Sequence, residues 1–163
     1  MLAWPPYIVQ EIWTKMLDDK SFTKNFLMVN RQRLADQYAF ATRFLDEHGI
    51  AYYKNSNAGM FIWIDLRVYL FGAKRIESLS LHRLTPQEKK EYKRRELEVG
   101  KRFFANKVAI ALGTNFFTEE LGWFRLTFTV SRDALEIGLR RMLQTLQEIE
   151  QLGWESAEGR NLV

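Results

Sequence analysis

The chain has 163 residues, 47% of them hydrophobic and 27% charged, with 24 Lys and Arg against 20 Asp and Glu. That is enough chain for one domain with its own core. A net charge of +4 with no concentrated basic tract argues against non-specific nucleic-acid binding, and the absence of cysteine excludes disulfides, thiolate metal sites and cysteine nucleophiles.

Met1–Gln10 lacks the cationic region and apolar core of a signal peptide. No apolar run approaches the roughly 18–20 residues needed to span a bilayer. A soluble protein of the reducing cytoplasm is therefore expected. Trp4-Pro5-Pro6-Tyr7 is an extended lead-in, because each proline pushes its predecessor out of the helical region. Ile8, Ile12, Met16 and Leu17 then recur at helical spacing, and this short helix should end near Asp18-Asp19. The start is abruptly apolar, as in a chain cut away from something upstream.

Ser21 reads as the N-cap of a long helix that reaches about His48 and stops at Gly49. Leu27, Leu34, Tyr38, Ala41 and Leu45 form one stripe, and Phe22, Phe26, Val29, Phe40 and Phe44 a second flank. Two flanks predict packing against more than one layer. Ile50–Lys54 is a candidate short strand. Asn57-Ala58-Gly59 is a turn signal before Met60–Leu66, a run rich in aromatic and branched residues that predicts a strand buried on both faces.

Residues Val68–Thr85 show no periodicity and predict an irregular insertion. Thr85-Pro86 starts a third helix, with threonine as cap and proline at its first position. Tyr92, Val99 and Phe103 should face inward. Lys89, Lys90, Lys93, Arg94 and Arg95 should form a solvated face, supported by Glu88, Glu91 and Glu96. Val108–Leu112 predicts a second strand and Leu121–Phe128 a third. Ser131 should cap a last helix bearing Leu135, Leu139, Met142, Leu146 and Ile149, followed from Gly153 by a disordered polar tail. The link Gly113–Gly122 suits a wide hairpin and is short for a helical crossover. The fold class expected is α/β, a small, mainly antiparallel sheet of about three strands covered by helices.

Chemistry is sparse. Phe124, Leu126 and Phe128 alternate with Arg125, Thr127 and Thr129, which places Arg125 mid-strand on the face opposite three apolar residues. A guanidinium there presents a planar fork to a carboxylate or phosphate, or else is exposed or paired with a nearby Glu. His48, at a helix C-terminus, reads as structural, and His82 has no metal-ligand partner at useful spacing. Asp65, at a strand end, is a cap or an acid. Gly113-Thr114-Asn115-Phe116 lacks the spacing of a phosphate loop and reads as a turn. No nucleophile–base pair and no metal cluster can be assembled.

Three stretches together resemble class I/II aminotransferases, the pyridoxal-phosphate (PLP) enzymes of the aspartate aminotransferase fold, in the aminocyclopropane-carboxylate synthase-like branch. Asn57-Ala58-Gly59-Met60-Phe61-Ile62-Trp63-Ile64-Asp65-Leu66 resembles the family's Asn-Ala-Gly-aromatic-Trp-acidic strand. Gly122-Trp123-Phe124-Arg125-Leu126-Thr127-Phe128 resembles its Gly-Trp-Phe-Arg strand. Met16–Phe22 with Asn30-Arg31-Gln32-Arg33-Leu34 resembles the entry to its interdomain helix. The resemblance covers about residues 8–150, only the C-terminal part of the family's architecture.

The resemblance implies that residues 1–20 are a remnant of the connection to a large domain, 21–152 the C-terminal small domain, and 153–163 the tail. It makes Arg125 a clamp for the substrate α-carboxylate, with Asn57 and Gly59 as further substrate-binding residues and no catalytic residue in this chain. The family's Schiff-base lysine and phosphate-holding residues belong to the large domain, and none of the ten lysines here has the context of the cofactor lysine. PLP is thus implied for the family and is not expected to be bound by this chain alone. The partners implied are an amino-acid or keto-acid carboxylate once a large domain completes the site. The alternative is a non-catalytic module that pairs with a separate or full-length subunit, or a dimer. Neither reading calls for nucleic acid, membrane or metal. Leu112 stands where the family usually has proline before the glycine, which implies a looser loop beside Arg125.

Overall fold

A computed structural model describes residues 6–72 and 82–152. The expected tail and part of the expected insertion lie outside the described residues. Helix α1 spans Tyr7–Asp18 and α2 spans Lys20–Glu47, and they are separated only by Asp19. The cap of α2 is Asp19 and not Ser21: the Asp19 carboxylate accepts from the Phe22 amide at 2.9 Å, and Ser21 Oγ donates to the same oxygen at 2.7 Å. A carboxylate at the positive end of a helix outcompetes a hydroxyl two residues on, and the Asp19 pKa is correspondingly lowered, first by the Phe22 amide. At the other end the amides of Gly49 and Ile50 return to the Asp46 and Leu45 carbonyls, a Schellman closure.

Strands β1 (Ala51–Tyr52), β2 (Phe61–Asp65), β3 (Ala111–Leu112) and β4 (Trp123–Thr127) form one antiparallel sheet in the order β1-β2-β4-β3. The fourth strand is the short one offered by Ile50–Lys54. The expected second strand is paired only at its last two residues. Helix α3 (Arg67–Phe71) occupies the start of the segment read as irregular, and five residues are too few to show a period. Helix α4 (Pro86–Ala105) begins with a full capping box between Thr85 and Glu88. Helix α5 runs from Arg132 to Leu152, and Ser131 Oγ accepts from the Ala134 amide at 3.4 Å.

The core lies on one side of the sheet. Ile62 and Ile64 of β2 and Phe124 and Leu126 of β4 point into it and meet Ala41 and Leu45 of α2, Val99 and Phe103 of α4, and Leu135, Leu139, Met142 and Leu146 of α5. The other face, with Phe61, Trp63, Trp123, Arg125 and Thr127, has no helix layer among the described residues, and these side chains are half-buried or exposed. The expectation that β2 is buried on both faces is therefore corrected. Its apolar outer residues are aromatic and pack laterally on loop and cation, without a second layer.

The two stripes of α2 are also used unequally. Ala41 and Leu45 are buried, whereas Phe22, Phe26, Leu27 and Met28 are exposed, as are Ile8, Ile12, Trp13 and Leu17 of α1. Phe22 and Phe26 stack on each other. The helical periodicity is real along the whole of α2, but only its C-terminal part meets the rest of the domain.

Candidate functional site

The uncovered face of the sheet is centred on Arg125. In register it lies between Trp63 of β2 and Ala111 of β3. Its guanidinium carbon stands 3.9 Å from the centroid of the Phe61 ring and 3.9 Å from that of Phe116, a sandwich of one cation between two π faces. Trp63 meets Phe116 edge-on at 5.7 Å. Stacking of this kind contributes about 0.5–2 kcal/mol per ring and, more to the point here, sets the plane of the fork. Nε is buried with no hydrogen-bond partner, and no carboxylate pairs with Arg125 among the described residues. Both faces of the cation are occupied by rings, so a ligand must approach in the plane, the direction in which a carboxylate binds bidentately.

Phe116 is held by a short 3-10 turn, Gly113–Phe116, whose anchor is Glu96. The Glu96 carboxylate is buried on α4 and accepts from the Thr114 amide at 3.1 Å, the Thr114 hydroxyl at 2.7 Å and the Gly122 amide at 2.9 Å. Gly113 admits no side chain, because a Cβ there would lie 2.4 Å from the Trp123 carbonyl oxygen. The loop is thus fastened at both ends despite Leu112 in the proline position. Glu96 does not belong to the solvated face of α4 as expected. It shares the inward spacing of Tyr92, Val99 and Phe103, and that period was the signal that could have marked it.

Asp65 is occupied. Arg67 donates to it from its amide at 3.0 Å, from Nε at 2.8 Å and from Nη2 at 2.6 Å, and reaches Glu120 at 2.8 Å. Trp123 Nε1 donates to the same Glu120 oxygen at 3.0 Å. The hydrogen-bonded Asp65 carboxylate raises the Arg67 pKa further above its ordinary value. A carboxylate bonded in this way is a strand-end cap, and the acid role is set aside. Nothing in the residue spacing announced Arg67 and Glu120, which are 53 positions apart.

Asn57 and Gly59 lie in the turn before β2 and line a cleft of about 500 Å³ with Arg31, Tyr38, Phe61 and Phe128. Gly59 has φ +93°, a conformation that side chains rarely adopt. The cleft and the Arg125 sandwich share Phe61. No hydrogen bond joins Asn57 or Gly59 to Arg125.

The remaining candidates are structural. His48 Nδ1 lies 2.9 Å from the Phe44 carbonyl and its ring stacks on Phe44 at 4.2 Å. His82 is exposed in a turn. On α4, Arg94 and Arg95 both pair with Glu91, whose pKa they lower to about 2. Among the described residues there is no group of three metal-ligating side chains, and no helix is long and apolar enough to cross a membrane.

Residues 2–142 match the family model described as aminotransferase class I and II. The chain is 31% identical over 142 residues to 1-aminocyclopropane-1-carboxylate synthase CMW33 of Cucurbita maxima, covering 86% of this chain and 25% of that one. Its fold resembles an aromatic aminotransferase from Pyrococcus horikoshii OT3, with a TM-score of 0.58 at 20% identity over 83% of this chain and 30% of the other. It also resembles a PLP-bound putative aminotransferase from Clostridium difficile 630, with a TM-score of 0.50 at 17% identity over 80% and 28%. The chain spans about a quarter of the length of the curated relatives it matches.

The described residues do not fit PLP on their own. A lysine that forms a Schiff base must be desolvated enough to lose its proton, and every described lysine is exposed except Lys89, which is half-buried on α4. The described residues nonetheless provide the helix-backed antiparallel sheet and the arginine strand. The chain belongs to the class I and II aminotransferases, a family whose cofactor is PLP.

Proposed function

We propose that this chain is the carboxylate-gripping small domain of an aminotransferase-like enzyme, and that Arg125 binds and orients the α-carboxylate of an amino or keto acid. The observation that carries this reading is the Arg125 guanidinium, stacked between Phe61 and Phe116 and without a carboxylate partner among the described residues. Pre-setting the fork removes part of the ordering cost of binding and fixes where the α-carbon lies relative to a reacting partner. Asn57 and Gly59 shape the neighbouring cleft. The chemistry at the α-carbon, transamination or a related reaction, belongs to PLP and to a large domain that supplies the lysine. Alone, the chain carries no transaminase activity.

Two measurements test this. The side-chain Nε–H resonance of Arg125 and the backbone amides of Trp63 and Ala111 beside it should shift with millimolar L-alanine and not with L-alaninamide, and the amide shifts should be lost in Arg125→Lys. Equal responses to both ligands would refute the clamp. Purified chain mixed with PLP should give no borohydride-reducible absorbance band, and a stable band would refute the inactivity.

A second reading rests on the exposed apolar side chains of α1 and early α2. An uncovered surface of that kind suits a non-catalytic module that pairs with a separate or full-length aminotransferase subunit. Light scattering at high concentration separates the cases: a well-behaved monomer argues against this second reading.

A further inference from the structure

Phe117 is the most exposed large apolar side chain among the described residues, at 95%, and its backbone is strained. It ends the turn Gly113–Phe116 in the left-handed region, with φ 57° and ψ 38°. Glycine or asparagine takes that conformation readily, and a phenylalanine does so at a steric cost. The ring in water offsets none of this. The turn is not free to relax, because Glu96 fastens Thr114 before Phe117 and Gly122 after it. Phe116, one residue back, lies 3.9 Å from the Arg125 guanidinium carbon. A strained residue held next to a binding group, with no packing to explain it, is a mark of use by a ligand.

We infer that Phe117 selects the side chain of the bound amino or keto acid: with the α-carboxylate on Arg125, its ring covers a large apolar side chain. The inference rests on the Arg125 clamp. Phe61 and Phe116 occupy both faces of the fork, so the carboxylate enters in its plane and the α-carbon follows outside the two rings. Phe117 is one Cα step of about 3.8 Å beyond Phe116. That places its ring within side-chain reach of what the α-carbon carries. Phe61, Phe116 and Trp63, which meets Phe116 edge-on, make the surroundings aromatic. A charged ligand side chain would lose water against these rings, whereas an apolar one buries its own surface and that of Phe117.

The intact chain is titrated with L-phenylalanine and with L-alanine, and dissociation constants are read from the backbone amides of Trp63 and Ala111. L-Phenylalanine should bind about tenfold tighter than L-alanine. Phe117→Gly and Phe117→Asn should each raise the urea midpoint, since both residues tolerate the left-handed region. Each should also cut the preference to about threefold or less through the lost ring contact. Phe117→Tyr should keep the preference. Both ligands carry the same carboxylate, so the ratio separates the side-chain contact from the grip of Arg125. A preference that is absent at the outset or survives in both variants, or midpoints that fall in both, would overturn the inference and leave the clamp standing. No response to either amino acid would overturn the two together.

Discussion

Glu96 accepts the Gly122 amide at 2.9 Å across 26 positions of sequence, and its other oxygen holds Thr114. Both ends of the loop that carries Phe116 thereby hang on one buried carboxylate. Glu96→Ala should destabilise the domain by about 3 kcal/mol, because two amides lose a charged acceptor and stay buried. Glu96→Gln, which keeps one acceptor oxygen, should cost about half as much. Chemical denaturation reads the loss, and amide exchange at Thr114 and Gly122 should accelerate before the core opens.

Removing one face of the Arg125 sandwich should be felt by the ligand more than by the fold. Phe116 is itself 38% exposed. Phe116→Leu should leave stability within about 0.5 kcal/mol, as for a surface substitution, while weakening L-alanine binding about threefold through one lost cation–π contact. Unchanged affinity in the same titration would mean that the ring does not orient the fork.

Lys107 ends α4 in the left-handed region, at φ +61°, with its amide on the Phe104 carbonyl and that of Val108 on Phe103. Glycine takes this position in most helices closed in this way. Lys107→Gly should raise stability by about 0.5–1 kcal/mol, the relieved strain exceeding the added chain entropy. A higher midpoint with an unchanged slope in urea would report this.

Glu91 gives the acid limb of stability. Its folded pKa lies near 2, below its ordinary value of 4.5, because Arg94 and Arg95 hydrogen-bond the charged form. A depressed carboxylate stabilises fully above its unfolded pKa and loses that contribution as pH falls from 4.5 towards about 2. The pair is partly solvent-screened, so the contribution should stay below about 1 kcal/mol. Glu91→Gln should flatten this part of the pH–stability curve and leave the neutral side unchanged apart from the same small offset.

Much of the fold could be read from periodicity. The stripe from Leu135 to Ile149, the Thr85 cap with Pro86 after it and the alternation around Arg125 are each local, and each is found in place. For the candidate site, the mid-strand place of Arg125 was legible and its surroundings were not. Phe61 and Phe116 reach Arg125 from positions 64 and 9 residues away, and only sheet register and a turn bring them there. The cap of α2 was misplaced by two residues because three neighbouring side chains, Asp18, Asp19 and Ser21, all carry oxygen acceptors, and the choice among them depends on where the backbone leaves α1.

The sheet divides its labour by parity. Even-numbered residues of β2 and β4 hold the domain together, while odd-numbered ones, Arg125 among them, face outward. Apart from Asp65 and Trp123, which are tied to Arg67 and Glu120, substitutions on the outward set should cost folding less than those on the inward set, because no helix layer packs on that face among the described residues. The same parity means that a single-residue insertion in either strand would exchange the two roles and lose both.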